Sequence, residues 1–391
     1  MRSITIIGAG VTGLVAAIEA AERGWSVTLH EAGHAAGGRA ATLAGPYRAN
    51  IGPHGLYVDG SLWSWLEQHA LTPAVVKPPR GLDRRRAMLV LTAGRLGYFP
   101  AALDAAIAAL PEEAPVEDLF RSWLVGKVGE TYAEAIIGLL FVVTYAPDPG
   151  QLSAAFMHER LRRSRSDVVR YVLGGFGTLV ERLAERAART GVELRTRAAV
   201  HEVGEGPTVI ATSLPVARRM TGDPGLDWPS GAAALLDLGL ESEADVDWLR
   251  IFDLDGRCYV ARFSEVDESL APAGHDLVQA AAPCGPGEDA AGALRRVEDV
   301  LDAAWPGWRQ RVRWQRRSVV RGQTGALDMP GTTWRDRPAI HRGGDLYVAT
   351  DQSAAPGVLA EVGAAAAVEA VAALSGANAE PRNTGKGPTP G

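Results

Sequence analysis

The sequence predicts an α/β protein built on a parallel sheet, with a second, α+β region inserted into it. Three observations carry that prediction. Near the start, the β-branched run Ser3-Ile4-Thr5-Ile6-Ile7 leads straight into Gly8-Ala9-Gly10-Val11-Thr12-Gly13 and an alanine-rich stretch. Near the end, Asp345-Leu346-Tyr347-Val348-Ala349-Thr350-Asp351 leads through Pro356-Gly357-Val358-Leu359 into a second alanine-rich stretch. Between them lie a helical region and a series of alternating apolar segments.

The first unit reads as strand, glycine turn, helix to Arg23 and strand from Ser26 to His30, with Gly24 as the helix stop. Gly8 permits the tight turn, Gly10 lets a pyrophosphate approach the backbone, and Gly13 lets helix and strand pack closely. The helix start offers free N–H groups and partial positive charge to an anion. Glu31 follows at roughly the 20-residue distance where an acid meets a ribose diol, and it would repel a 2′-phosphate. Strand, turn, helix, strand and acid in register predict dinucleotide binding. They leave NAD and FAD both open.

Composition sets bounds. The 391 residues suffice for two domains, and 47% hydrophobic with 22% charged is ordinary for a globular protein. A net charge of −6 leaves no nucleic-acid footprint. Of the 40 lysines and arginines only Lys77, Lys127 and Lys386 are lysine. Cys258 and Cys284 give no disulfide framework, so a reducing, cytoplasmic compartment is expected. The first apolar run is the strand itself, which argues against a signal peptide. The apolar stretch from Ala135 to Val143 is far short of the ~20 residues that span a bilayer; a peripheral membrane contact stays open.

Along the chain, Ser61 to Ala70 reads as a helix. Arg84-Arg85-Arg86 reads as a solvated charge run, and residues 87–91 and 96–99 as a hairpin. Ala101 to Arg163 is mostly helical, broken near Pro111, Pro115 and Pro147-Asp148-Pro149-Gly150. A helix to about Arg189 follows Gly174-Gly175-Phe176-Gly177, then strands over 192–197, 199–203 and 208–212. Residues 231–240, 248–263, 278–282 and 308–320 read as strands of a mostly antiparallel sheet, with a helix from Ala290 to Trp305. Trp305, Trp308, Trp314 and Trp334 are expected in the core or between domains, with substrate stacking as the minority reading.

Past Glu31, Gly37-Gly38-Arg39 brings two more glycines and a forked cation suited to a phosphate. Gly52-Pro53-His54-Gly55 follows. In this order the motifs resemble the flavoprotein superfamily of phytoene desaturases, protoporphyrinogen oxidases and flavin amine oxidases. Pro356-Gly357-Val358-Leu359 is similar to the C-terminal flavin motif of phytoene desaturases, although Thr350 stands where that family usually has glycine before the acid. The resemblance spans nearly the whole chain, strongest at its two ends. It implies a Rossmann-type FAD-binding domain (glutathione-reductase-like) of residues 1–70, 171–229 and 318–375. The α+β substrate domain would be 71–170 and 230–317, followed by a disordered tail, 376–391. It implies non-covalent FAD held by Gly8, Gly10, Val11, Thr12, Gly13, Glu31, Ala32, Gly37, Gly38, Arg39, Gly52, Pro53, His54, Val200, Asp351, Gly357, Val358 and Leu359.

The resemblance further implies hydride transfer between an apolar small molecule and the flavin, closest to desaturation or dehydrogenation. Flavin amine oxidase, a flavin-dependent isomerase without net redox, and a non-catalytic flavin-binding protein are the alternatives. Residues 128–385 contain no lysine, so the flavin-facing lysine common in amine oxidases has no candidate in the substrate sheet. His54 is the candidate acid–base group, against the reading of a hydrogen-bonded structural histidine; Tyr145 and Arg321 are weaker candidates. Acceptor, substrate identity and oligomeric state are not readable from these residues.

Overall fold

The computed structural model describes residues 2–79, 88–285 and 287–377. The expected charge run Arg84-Arg85-Arg86 and residues 378–391 of the expected tail lie outside the described residues.

The first strand, Ser3–Ile7, sits in the middle of a five-stranded sheet. Its neighbours are Ser26–His30 and Thr208–Ile210. Glu193–Arg195 and Leu346–Val348 flank these, and every pairing is parallel. Parallel strands buried on both faces need apolar runs, which Ile4, Ile6 and Ile7 supply. The helices Val11–Glu22 and Ala360–Ala377 pack together on one face through small residues. At Gly363 the two helices run so close that a Cβ would stand 2.2 Å from Thr12 Oγ1.

The inserted region builds a seven-stranded sheet. In order it runs Val312–Arg321, Ala232–Glu241, His275–Pro283, Cys258–Arg262, Arg250–Asp253, Met88–Thr92 and Arg95–Tyr98. The pairing of Arg250–Asp253 with Met88–Thr92 is parallel and the others are antiparallel. The helix Ala290–Ala304 covers one face, burying Trp305 with Leu236 and Leu238. The helices Ala101–Ala108, Phe120–Val128, Glu130–Leu139 and Ala154–Arg165 form a separate apolar layer whose core reaches Val90 and Leu254 of the sheet region.

Two details differ from the sequence reading. Residues 199–203 form no strand; just before them Arg197 N–H donates to Gly33 O (2.7 Å) and Ala198 N–H to Glu31 O (2.9 Å), and Val200 and Val203 pack against the cluster of Ile7, Ile210 and Leu214. The apolar residues of the alternation, Val200 and Val203, pack against an apolar cluster without pairing in a sheet. The strand Val312–Arg321 runs unbroken in the seven-stranded sheet, past the expected return at residue 318. Of the four tryptophans, Trp305 and Trp308 are core. Trp314 stacks on Tyr47 and Trp334 is covered by Arg335.

Candidate functional site

At the carboxyl end of Ser3–Ile7 the chain turns on Gly8, whose φ of +102° is open to glycine. A Cβ on Gly13 would fall 1.8 Å from Gly8 O, so helix and strand touch backbone to backbone. Gly10 differs from both. Its Cβ would meet only Gly37 O, 3.9 Å away, and the residue lines a cavity of about 380 Å³. The site therefore has one glycine for the turn, one for packing and one that keeps a wall bare.

This cavity gathers segments far apart in sequence. Val11 and Thr12 open the first helix; Gly37 and Arg39 come from the second glycine turn. Gly52, Pro53 and His54 come from the loop after it, and Asp351, Val358 and Leu359 from the C-terminal unit. Gly8, Gly13, Gly38 and Gly357 are not among its lining residues; Gly38 and Gly357, at φ +52° and +114°, adjoin the lining residues Gly37 and Val358 in sequence. Glu31, Ala32 and Val200 do not line this cavity; the 197–198 segment docks on the Glu31 loop, and Val200 packs against the cluster of Ile7, Ile210 and Leu214. There the Glu31 carboxylate accepts from Ala9 N–H (2.9 Å) and Gly33 N–H (2.7 Å), leaving further lone pairs for a diol.

Arg39 does not point freely toward a phosphate. Its Nη1 donates to Asp351 Oδ2 at 2.5 Å and to Gln323 O at 2.6 Å. The other carboxylate oxygen, Asp351 Oδ1, is buried and has no hydrogen-bond partner. A buried acceptor left unmatched is costly unless a ligand donates to it. Asp351 thus offers an acceptor to a hydroxyl-bearing ligand, as the ribityl chain of FAD is. The bare Gly10 wall and this orphaned oxygen both fit that cofactor.

His54 Nε2 lies 2.6 Å from Arg39 O, and its ring packs on Phe176 at 5.0 Å. Burial depresses its pKa, against the opposing pull of the Arg39 carbonyl. The imidazole is therefore neutral at physiological pH and donates to the Arg39 carbonyl. This hydrogen bond is the one that the reading of His54 as a structural histidine calls for.

Sequence reasoning underrated Tyr145. It lines the cavity at φ +53°, an unusual conformation for a bulky residue. Its carbonyl is gripped by Ala232 N–H at 3.0 Å, and a Cβ on Gly231 would come within 2.4 Å of that oxygen. Its hydroxyl faces Gly52, and burial raises the phenol's pKa well above the ordinary range, so it stays protonated. Arg321, by contrast, ends the strand Val312–Arg321 and does not line the cavity.

The sheet contributes Arg316, invisible to local pattern. It lines the cavity and binds the buried Asp237 through Nε at 2.7 Å. Gln279 donates to Asp237 Oδ1 at 2.8 Å and to Asn50 O at 2.9 Å. Arg316 Nη2 also donates to Asn50 O at 2.9 Å. Asn50 Oδ1 accepts from Thr42 Oγ1 and Phe176 N–H. The chain of bonds ties three strands of the inserted sheet to the loop carrying Gly52-Pro53-His54.

A second chamber of about 210 Å³ shares Pro53, His54, Tyr57, Val142, Val143 and Leu359 with the first. Its other walls are mainly apolar, among them Ile107, Leu139, Leu140 and Phe252. Among the described residues no cluster of side chains suits a metal ion, and no helix is long and apolar enough to cross a membrane.

Comparison with known proteins agrees with this geometry. Residues 3–128 match the family described as FAD dependent oxidoreductase. No curated protein sequence matches the chain. Among solved structures, a protein assigned as a protoporphyrinogen oxidase from Exiguobacterium sp. 255-15 superposes with a TM-score of 0.71. It is 17% identical, and the match covers 96% of this chain and 98% of that one. Cyclohexylamine oxidase from Brevibacterium oxydans IH-35A also gives 0.71, at 16% identity over 97% and 100%. Reduced UDP-galactopyranose mutase gives 0.69, at 15% identity over 97% and 95%. At these identities the three share the fold.

Proposed function

We propose that this chain, whose residues 3–128 match the family described as FAD dependent oxidoreductase, binds FAD and acts as a dehydrogenase of the desaturase kind on a largely apolar small molecule. The observation that carries this reading is the apolar chamber joined to the glycine-lined cavity through Pro53, His54 and Val142. Bound in the glycine-lined cavity, FAD supplies a two-electron acceptor. The chain's own residues bind and orient. Gly10, Val11 and Thr12 present bare backbone and a helix N-terminus to the pyrophosphate. Glu31 would receive the adenosine ribose, and Asp351 Oδ1 would accept from a ribityl hydroxyl; Ala32 and Val200 remain part of the adenosine site on the resemblance alone. His54, neutral and tied to Arg39 O, fixes the loop between the two cavities. Val142, Val143 and Leu359 exclude water from their junction.

An amine substrate fits less well. The second chamber carries Arg165 and Arg250, which repel an ammonium group, and no lysine lies in the inserted sheet. A net-redox-neutral isomerase stays as the second reading, because a mutase shares the fold.

The test is an absorption spectrum of the purified protein, then anaerobic photoreduction and readmission of air. Flavin bands, with flavin released on denaturation, support the reading. Slow reoxidation in air supports a dehydrogenase over an oxidase. Apolar substrates that bleach the flavin anaerobically, with a desaturated product, carry it; turnover without bleaching or consumption of an acceptor favours the isomerase. A colourless protein that FAD cannot reconstitute overturns both.

A further inference from the structure

Within the apolar chamber one group has no counterpart. Arg250 opens the strand Arg250–Asp253 and lines the chamber. Its Nε is buried without a hydrogen-bond partner, and none of its nitrogens pairs with a described residue. Other arginines with a buried, unpartnered nitrogen differ. Arg163 holds Glu361, Arg337 holds Asp328, and Arg48 donates to Gly174 O. Arg165 joins Arg250 in the chamber wall, with one nitrogen on Asp104 at 2.7 Å. No aspartate or glutamate among the described residues lines this chamber. Tyr171 and Tyr259 do, close enough to Arg250 that its charge acts on the Tyr259 phenol.

An uncompensated cation in an apolar chamber is costly, and the cost falls when a ligand anion pairs with it. The guanidinium fork matches a carboxylate in shape and number of donors. Arg250 does not line the glycine-lined cavity, so its partner belongs to whatever fills the chamber beside the flavin. We propose that the substrate is an apolar molecule bearing a carboxylate, which Arg250 receives with Arg165 beside it while the apolar body fills the rest of the chamber. This rests on reading the chamber as the substrate site.

The experiment is calorimetric titration of the FAD-loaded protein with octanoate, 1-octanol, octylamine and octyl phosphate. Octanoate should bind about tenfold or more tighter than octanol, with octylamine weakest. Arg250→Met should weaken octanoate about tenfold to a hundredfold, leave octanol binding and the flavin spectrum unchanged, and give a melting temperature of the ligand-free protein no lower than the parent's. Arg250→Lys should recover part of the loss. Equal binding of octanoate and octanol, or an R250M variant that still prefers octanoate, overturns the proposal. Octyl phosphate binding tighter than octanoate overturns the carboxylate assignment. A chain that takes up no flavin yet binds octanoate through Arg250 sinks the redox reading alone. A flavin-loaded chain indifferent to ligand charge sinks this one alone.

Discussion

Arg39 and Asp351, 312 residues apart, form an ion pair of 2.5 Å that occupies one carboxylate oxygen and leaves the other buried and unmatched. The pair fixes the carboxylate and leaves an acceptor, which the proposed reading gives to the cofactor. Asp351→Ala is therefore expected to weaken FAD binding about tenfold to a hundredfold, the range for a lost bond to a charged acceptor. Quenching of flavin fluorescence on titrating the apoprotein measures it. Unchanged affinity would remove Asp351 from the site.

The glycines make opposite predictions. A methyl group at Gly13 meets Gly8 O at 1.8 Å, so Gly13→Ala must push helix and strand apart. It should cost on the order of 3 kcal/mol or more and lower flavin content. Gly126 lies inside the helix Phe120–Val128 with nothing within 4 Å of its Cβ position. Gly126→Ala should stabilise by about 0.5–1 kcal/mol. Thermal melting of both variants, beside the flavin-to-protein absorbance ratio, gives the comparison.

His54 makes stability depend on pH with a definite sign. Its folded-state pKa lies below the unfolded value of 6.5, chiefly because it is buried. Between the two values the unfolded chain binds more protons, so stability rises with pH there. The contribution is complete above about pH 6.5 and is lost as pH falls through the folded pKa. His54→Asn removes the titration but can keep a donor for Arg39 O. Melting curves from pH 7.5 down to 5 should fall more steeply for the parent than for this variant; parallel curves would contradict the assignment.

Asp237 is almost fully buried against Arg316 and Gln279. Asp237→Leu leaves the guanidinium without its partner and should cost about 3–5 kcal/mol. The double variant Asp237→Leu/Arg316→Leu should recover much of that loss, since a buried pair can give way to apolar packing. A double-mutant cycle by chemical denaturation tests this, and additive losses would count against coupling through the pair.

The parts of the fold that were legible in the sequence are those with local causes. Gly8, Gly10 and Gly13 could be assigned separate roles because a turn, an approach and a packing contact each need a missing Cβ. The hairpin Met88–Thr92 to Arg95–Tyr98 announced itself through Ala93-Gly94. What escaped depends on partners distant in sequence. Nothing near Arg316 marks it as the partner of Asp237, and nothing near Arg39 shows that it turns to Asp351. Residues 199–203 carry a strand's alternation, yet the neighbouring backbone is spent on the Glu31 loop. Tyr145 stood in the sequence only as a weaker acid–base candidate beside Arg321; its backbone angle and its place in the cavity wall could not be read there.

Because the glycine-lined cavity is closed by Asp351 and Leu359 as well as Gly10 and Arg39, a nascent chain has only part of the proposed cofactor site for most of its synthesis. At ~5–20 residues per second the ribosome takes on the order of 16–60 s to travel from Arg39 to Asp351. Throughout that interval Ser3–Ile7 can pair with Ser26–His30, but the edge strand Leu346–Val348 and the closing helix Ala360–Ala377 do not yet exist. Completion of the cavity is thus tied to the last stretch of translation, and a ribosome stalled before residue 346 leaves a sheet without its final parallel strand.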